Sequence, residues 1–536
     1  MNAIMKYLKN KQIKQSVRYT FFLLLSLFIF DGRATAKEYL ITDYGAVPDG
    51  KTMNTKAIQS AIDEAFENGG GSVVFPKGDF LSGCLEMKSN VELFLRDGAV
   101  LLGSTNPGDY YEMKAEGRPE SPKKNDNSQM ALILAFRANN IALKGKGTID
   151  GQGRALALTI DSLHHAGVRI DPKYNNRKMR PNETARPKLF RFSECNHVEV
   201  SGLHLQNPAC WGLSFELCSN MVLDGLKINN RAYWNNDGMD ITDCRNVKVI
   251  NCDVNSADDG ICLKSYYPGY FNDSIYIANC TVRSSASAIK FGTASFGGFK
   301  NVTVENIKVF DTFRSAIAIE SVDGGAIENI NVSNISAKNT GNAIFIRIGH
   351  RGGEQPGTVK NVHIKDVKVQ VPFGRPDIDY DMRGPAVNYR HNPHPSSIVG
   401  IPGYDVEGVI LENIEITYPG RATKGTAYIP LSDLDRVPEK IKNYPEFSMF
   451  GELPAWGFYI RHAKGIVLKN IRLKLEHPDF RPALVFDDVS HVNMTKIDLP
   501  AGNTNQVVFR GVKGADFEEN IKVRRIADER SHTNRY

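Results

Sequence analysis

Two short segments concentrate carboxylates: Asn235-Asn236-Asp237-Gly238-Met239-Asp240 and Ala257-Asp258-Asp259-Gly260-Ile261-Cys262. Asp237 and Asp258 stand 21 residues apart. If the chain returns to the same face after about that many residues, two or three carboxylates come to lie side by side. Like charges at such distances repel, so one member of the set should hold its proton above the usual carboxylate range. A protonated carboxyl beside ionised ones is what single-displacement glycoside hydrolysis requires: the acid protonates the leaving oxygen, and the opposing carboxylates activate water. Asp-Gly and Asp-Asp-Gly also form turns in their own right. The chemical reading therefore depends on the coil-length spacing, and on an architecture that supplies it.

That architecture is written as a repeat. NVKVINCDV (246–254), NVTVENIKV (301–309), NINVSNISA (329–337) and NVHIKDVKV (361–369) share one pattern, with relatives at 197–205, 220–228, 274–282, 408–416, 465–473 and 491–499. Successive units from 197 start 23, 26, 28, 27, 28, 32, 47, 57 and 26 residues apart. Each alternates apolar and polar residues and is rich in β-branched side chains, the period-2 signature of a strand with one buried face. The leucine-and-asparagine consensus of leucine-rich repeats is missing, and propeller blades run longer. The pattern predicts an all-β chain, a single-stranded right-handed parallel β-helix whose coils bury their faces against their neighbours. Asparagines near the coil turns read as turn formers or as a ladder. A solenoid needs covered ends, and Asn54–Asn68 has helical spacing that puts Ala57, Ile58, Ala61, Ile62, Ala65 and Phe66 on one face. Asn54 or Thr55 would cap its start, and Gly69-Gly70-Gly71 would stop it.

Departures from the rhythm mark insertions near 152–188, 370–405 and 418–460. Insertions in a repeat scaffold project from one face and form binding rims, and Tyr380, Tyr389, His391 and Trp456 are expected to stack on sugars there. Residues 37–515 are expected to form the solenoid, with 516–536 a charged tail.

The 536 residues carry a formal net charge of +6. Residues 1–36 account for +5 of it, so a global electrostatic case for nucleic acid or membrane binding fails. That segment has a basic start, an apolar run Phe21–Phe30 and a small-x-small site at Ala34-Thr35-Ala36, the layout of a secretory signal peptide. A membrane span needs about 20 apolar residues, so the expectation is an exported chain, periplasmic or extracellular, without stable membrane insertion. Several of the eight cysteines fall near one repeat apart and none forms a Cys-x-x-Cys pair, which predicts buried, unpaired thiols and no zinc site. No cofactor and no metal are expected, and the chain is expected to be a monomer.

At NNDGMD and ADDGICLKS the chain resembles the polygalacturonase group, glycoside hydrolase family 28, in residue type and spacing. The opening ITDYGAVPDG and the segment SVVFPKGDF are also similar to the start of family members. The resemblance covers roughly 40–510 and implies a pectin-lyase-like solenoid, with a polysaccharide or oligosaccharide as substrate. It implies Asp258 as general acid, with Asp237 and Asp259 positioning and activating water. Two further family motifs are altered. The Gly-His-Gly segment falls at Ser287–Thr293, where no histidine stands, and the Arg-Ile-Lys motif that grips a substrate carboxylate falls at Ala318-Ile319-Glu320. Asp240, Lys264, Lys290 and Glu320 are the expected substrate-binding residues around the aspartates, and Arg347 and His350 are expected to extend the cleft. The expected function is inverting cleavage of a pectic or related acidic polysaccharide, with exo-action favoured by insertions that can close one end of the groove. A calcium-dependent polysaccharide lyase and a non-catalytic carbohydrate-binding β-helix are the alternatives.

Overall fold

The computed structural model describes residues 37–113, 116–123, 127–377, 394–426, 429–501 and 506–528. The expected leader 1–36, and Tyr380, Tyr389 and His391, lie outside the described residues. From Tyr39 onward the chain forms one unit, a right-handed parallel β-helix in which every ladder between described strands is parallel.

The pairing register explains why a degenerate repeat specifies this fold. Val198 pairs with Met221, then Val247, Ile275, Val302, Ile330, Val362, Val409, Ile466 and Val492, each one coil beyond the last. These steps match the sequence spacings, long ones included, so the insertions leave the coil without shifting its register. Every member of this column is buried. Each such side chain contributes roughly 1.5–3 kcal/mol of apolar burial, while a one-residue slip would turn the whole set outward.

The corners are held by asparagine. Asn220, Asn246, Asn301, Asn329 and Asn361 all have left-handed backbone, with φ between 53° and 58°, a conformation Asn tolerates far better than β-branched residues. Their side chains also bond coil to coil: Asn246 Nδ2 donates to Asn220 Oδ1 at 2.6 Å and Asn329 Nδ2 to Asn301 Oδ1 at 3.1 Å. A second corner repeats the device, with Asn334 donating to Asn306 at 2.6 Å. Turn former and ladder are thus one residue acting twice.

The capping helix spans Thr55–Glu67 and buries Ile58, Ala61, Ile62 and Ala65. Phe66, expected on that face, is 45% exposed. Asn54 stands at the N-cap, but its side chain bonds the Val47 and Thr52 backbone instead of the helix. The solenoid also runs past its expected end at 515, because Val523–Ile526 forms a strand paired to Val507–Arg510. All eight cysteines are buried and free. Among the described residues no helix is long and apolar enough to cross a membrane.

One outward-facing column positions the site. It runs Ser214, Asp240, Cys262, Lys290, Ala318, Phe345, Ser397, Tyr459, Val485 and Val508. From Ala318 onward it is mostly apolar, and there the 418–460 insertion packs on it through Leu434, Val437, Phe450 and Leu453. Upstream of Ala318 the column is polar. Trp456, expected to stack on sugar, lies in the core against Tyr418 with ring centroids 5.8 Å apart. The chain returning from the insertion needs an anchor there more than the rim needs a platform.

Candidate active site

The aspartates sit at the entrances of the strands Met239–Thr242 and Ile261–Ser265. Met239 pairs with Ile261, a step of 22 residues, one more than the 21 separating Asp237 from Asp258. Asp237 therefore stacks on Asp259, with Gly238 N donating to Asp259 O at 2.9 Å, and Asp258 lies alongside Asn236, its N donating to Asn236 O at 3.2 Å. The glycines of both motifs answer to close approach: a Cβ at Gly238 would stand 2.4 Å from Gly260 O, and one at Gly260 2.7 Å from Ala288 O. The asparagines hold the turn. Asn236 is buried and donates to the carbonyls of Pro208 (3.0 Å) and Cys210 (2.7 Å), while Asn235, at φ 57°, accepts from Arg186 at 2.8 Å.

Two lysines compensate the crowded carboxylates. Lys264 Nζ lies 3.1 Å from Asp240 and 3.5 Å from Asp237. Lys290 Nζ lies 3.0 Å from Asp259 Oδ2 and donates to Tyr444 Oη at 3.2 Å. Asp237, Asp240 and Asp259 consequently diverge. Burial, then the neighbouring Asp240, pushes Asp237 well above the usual range against the pull of Lys264. Asp240 is also raised by burial, with Lys264 and Lys188 opposing. For Asp259 burial acts upward, but Lys290, Lys264 and Arg314 together outweigh it and bring the group down to about 2. Asp258 is the one of the four aspartates that is partly exposed. The site thus holds Asp259 held down by its lysine, Asp237 and Asp240 both raised by burial, and Asp258 at the solvent edge.

The structure brings together Asp237, Asp240, Asp258, Asp259, Lys264 and Lys290, with Glu320 facing Lys290 and Asp259 from the next coil. It does not bring in Arg347 or His350. Arg347 is fully buried, donates to Gly400 O at 2.7 Å and to Glu439 O at 2.6 Å, and stacks on Phe450. It fastens the 418–460 insertion to the wall instead of extending the cleft. His350 turns back on its own loop, Nε2 to Gly353 O at 3.2 Å.

Several neighbours were not singled out from sequence. The guanidinium of Arg180 lies 4.0 Å over the Trp234 ring, and it interacts electrostatically with Asp258. Trp211 has Lys188 Nζ 4.5 Å and Lys264 Nζ 4.7 Å from its ring centroid. Burial lowers that Lys188 to about 8, despite Glu216 nearby. Downstream, Tyr444 lies beside Lys290 and Arg314, and Arg314 pairs with Glu446 at 3.3 Å. Only the insertions carrying Arg180 and Tyr444 were legible, because nothing local says which of their side chains fold back. Among the described residues no group of three or more His, Cys, Asp or Glu side chains is disposed to hold a metal.

Residues 72–432 match the family model described as glycosyl hydrolases family 28. The chain belongs to that family. The family 28 chain is 25% identical over 454 residues to "Probable polygalacturonase" of Vitis vinifera, covering 76% of this chain and 83% of the relative. It is 28% identical over 334 residues to an exo-poly-alpha-D-galacturonosidase of Dickeya chrysanthemi, covering 55% and 54%. Among solved structures, the Yersinia enterocolitica family 28 exopolygalacturonase superposes with a TM-score of 0.62 at 20% identity, covering 87% of this chain and 79% of that one, a likeness of fold. The family 28 protein is accordingly a glycoside hydrolase, acting on O-glycosyl bonds.

Proposed function

We propose that the protein is an exported, exo-acting hydrolase of a pectic or related acidic polysaccharide, cleaving by inversion. The observation that carries this reading is the stacking of Asp237 on Asp259 in successive coils, with Asp258 adjoining at the solvent edge. In this reading Asp259, held ionised by Lys290, takes the proton of the attacking water, and Asp237 orients that water. Asp258, accessible from the groove, protonates the leaving oxygen. The aspartates face ammonium groups of Lys264 and Lys290, an arrangement suited to acid–base work more than to a calcium site. Relatives named as exo-acting on polygalacturonate support the substrate class and mode. The insertions bearing Arg180 and Tyr444 flank the aspartates from either side and support end-directed cleavage.

The test is incubation of purified protein with pectic oligosaccharides, products read by mass and the new anomer by NMR, with Asp258→Asn as control. Hydrolysis that Asp258→Asn abolishes, giving the inverted anomer and single terminal units, supports the reading. An unsaturated product moves the assignment to a lyase, and release undiminished in Asp258→Asn removes Asp258 as acid.

A further inference from the structure

We propose that the subsite downstream of Asp259 accepts a neutral sugar and that Glu320 selects it, so that the scissile bond joins an acidic and a neutral residue; this rests on the hydrolase reading above. Lys290 pairs with Ala318, which places Glu320 two residues further along the same outward face and against Gly292. Glu320 is as enclosed as Asp237 and Asp259, and its Oε2 has no hydrogen-bond partner. A buried carboxyl without a partner is costly unless something supplies one. A sugar hydroxyl is a partner that can both donate and accept.

The cations around Glu320 are already matched. Lys290 is paired with Asp259 (3.0 Å), Arg314 with Glu446 (3.3 Å) and Arg351 with Asp323 (2.6 Å), while Arg347 on the next coil binds backbone carbonyls. Arg314 Nε has no partner, which leaves a donor for a hydroxyl but no unmatched charge. A uronate here would face Glu320, with Lys290, Arg314 and Arg351 each already paired to a carboxylate. Tyr444, about half exposed, offers a ring face for the apolar side of a sugar. On the other side of the aspartates, Arg180, paired with Glu183 at 3.7 Å through Nη2, keeps a buried Nη1 without a hydrogen-bond partner, a donor suited to a carboxylate. One coil step, about 4.8 Å, approximates one sugar residue, so adjoining subsites of opposite character read adjoining sugars.

Burial raises Glu320 to about 7, partly offset by Lys290, with Asp259 raising it further and Arg314 and Arg351 lowering it. The protonated form donates to a hydroxyl, and the ionised form repels a uronate. Discrimination against a uronate therefore increases as pH rises through that value.

The experiment compares a tetragalacturonate with a tetrasaccharide alternating galacturonate and rhamnose. Binding is measured by calorimetry on full-length Asp258→Asn protein at about pH 6 and about pH 8, and turnover on the parent protein. The alternating probe should bind at least about tenfold tighter, since like-charge juxtaposition carries that order of cost, and the gap should widen at the higher pH. E320Q, added to the Asp258→Asn background, should flatten the pH dependence, and E320K should narrow the gap. Should E320K fail to fold, the pH response of E320Q decides. Equal or tighter binding of tetragalacturonate, or a pH response unchanged by E320Q, overturns the assignment. A binding preference without turnover of either probe sustains the subsite and sinks the hydrolase reading. Turnover that favours tetragalacturonate, together with its tighter binding, does the reverse.

Discussion

Asp259 and Lys290 form the pair on which the chemistry of the site turns. With its folded value at about 2, against 3.8 for the free group, Asp259 adds stability that is full above pH 3.8 and lost as pH falls through about 2. Asp237 has the opposite sign: its raised value favours the fold at low pH and loses that contribution as pH rises through it. Lys290→Met should cost about 3–5 kcal/mol in urea unfolding, because it leaves a buried carboxylate uncompensated. In the same variant the acidic limb of kcat/KM should move to higher pH; an unmoved limb would show that Lys290 does not set the ionisation of Asp259. Asp258→Asn should lower kcat by about 10²–10⁴ if it is the general acid, read from initial rates of reducing-end release with the fold checked by circular dichroism. At this scale the sequence supplied the carboxylates but not their pairing. A spacing of 21 pointed to Asp237 with Asp258, whereas the register of 22 puts Asp237 on Asp259. A one-residue difference is invisible until the strands are in register.

The coil corner and the anchored insertion each make a claim at the scale of elements. Asn334 combines left-handed backbone, φ 53°, with a bond to Asn306 at 2.6 Å. Asn334→Ala should therefore cost about 1–2 kcal/mol, from the lost hydrogen bond and the strained φ. Asn334→Gly should cost less, since glycine removes the strain and loses only the bond. Equal losses in chemical denaturation would deny the backbone part. Arg347 is the second case, with both of its terminal nitrogens spent on backbone carbonyls of the insertion and of residue 400. Arg347→Met should free the 418–460 insertion, seen as faster limited proteolysis there, and raise KM more than it lowers kcat as Tyr444 leaves Lys290. Unchanged proteolysis would show that the apolar contacts of the insertion hold it alone. Sequence marked Arg347 as extending the cleft because it lies farther along the chain of coils from the aspartates. Its orientation depends on where a segment more than 90 residues later returns, as the bond to Glu439 shows.

At the scale of the whole molecule, coil stacks on coil with no disulfide among the described residues. All eight cysteines are free and buried, so a reducing agent should leave the melting temperature unchanged, and a fall of several degrees would reveal a disulfide. Length, alternation and spacing determined the solenoid by themselves, because each coil needs only its neighbours and the apolar set of each unit has one burial solution. They also determined where the insertions leave it and which coils carry the acidic residues. Tertiary structure alone decided which carboxylates meet, which lysines face them, that Arg347 and Trp456 serve the wall, and that Glu320 ends without a hydrogen-bond partner for Oε2. The physical reason is range. Strand alternation is a property of neighbouring residues, whereas charge compensation depends on side chains from separate coils and from insertions that fold back over them.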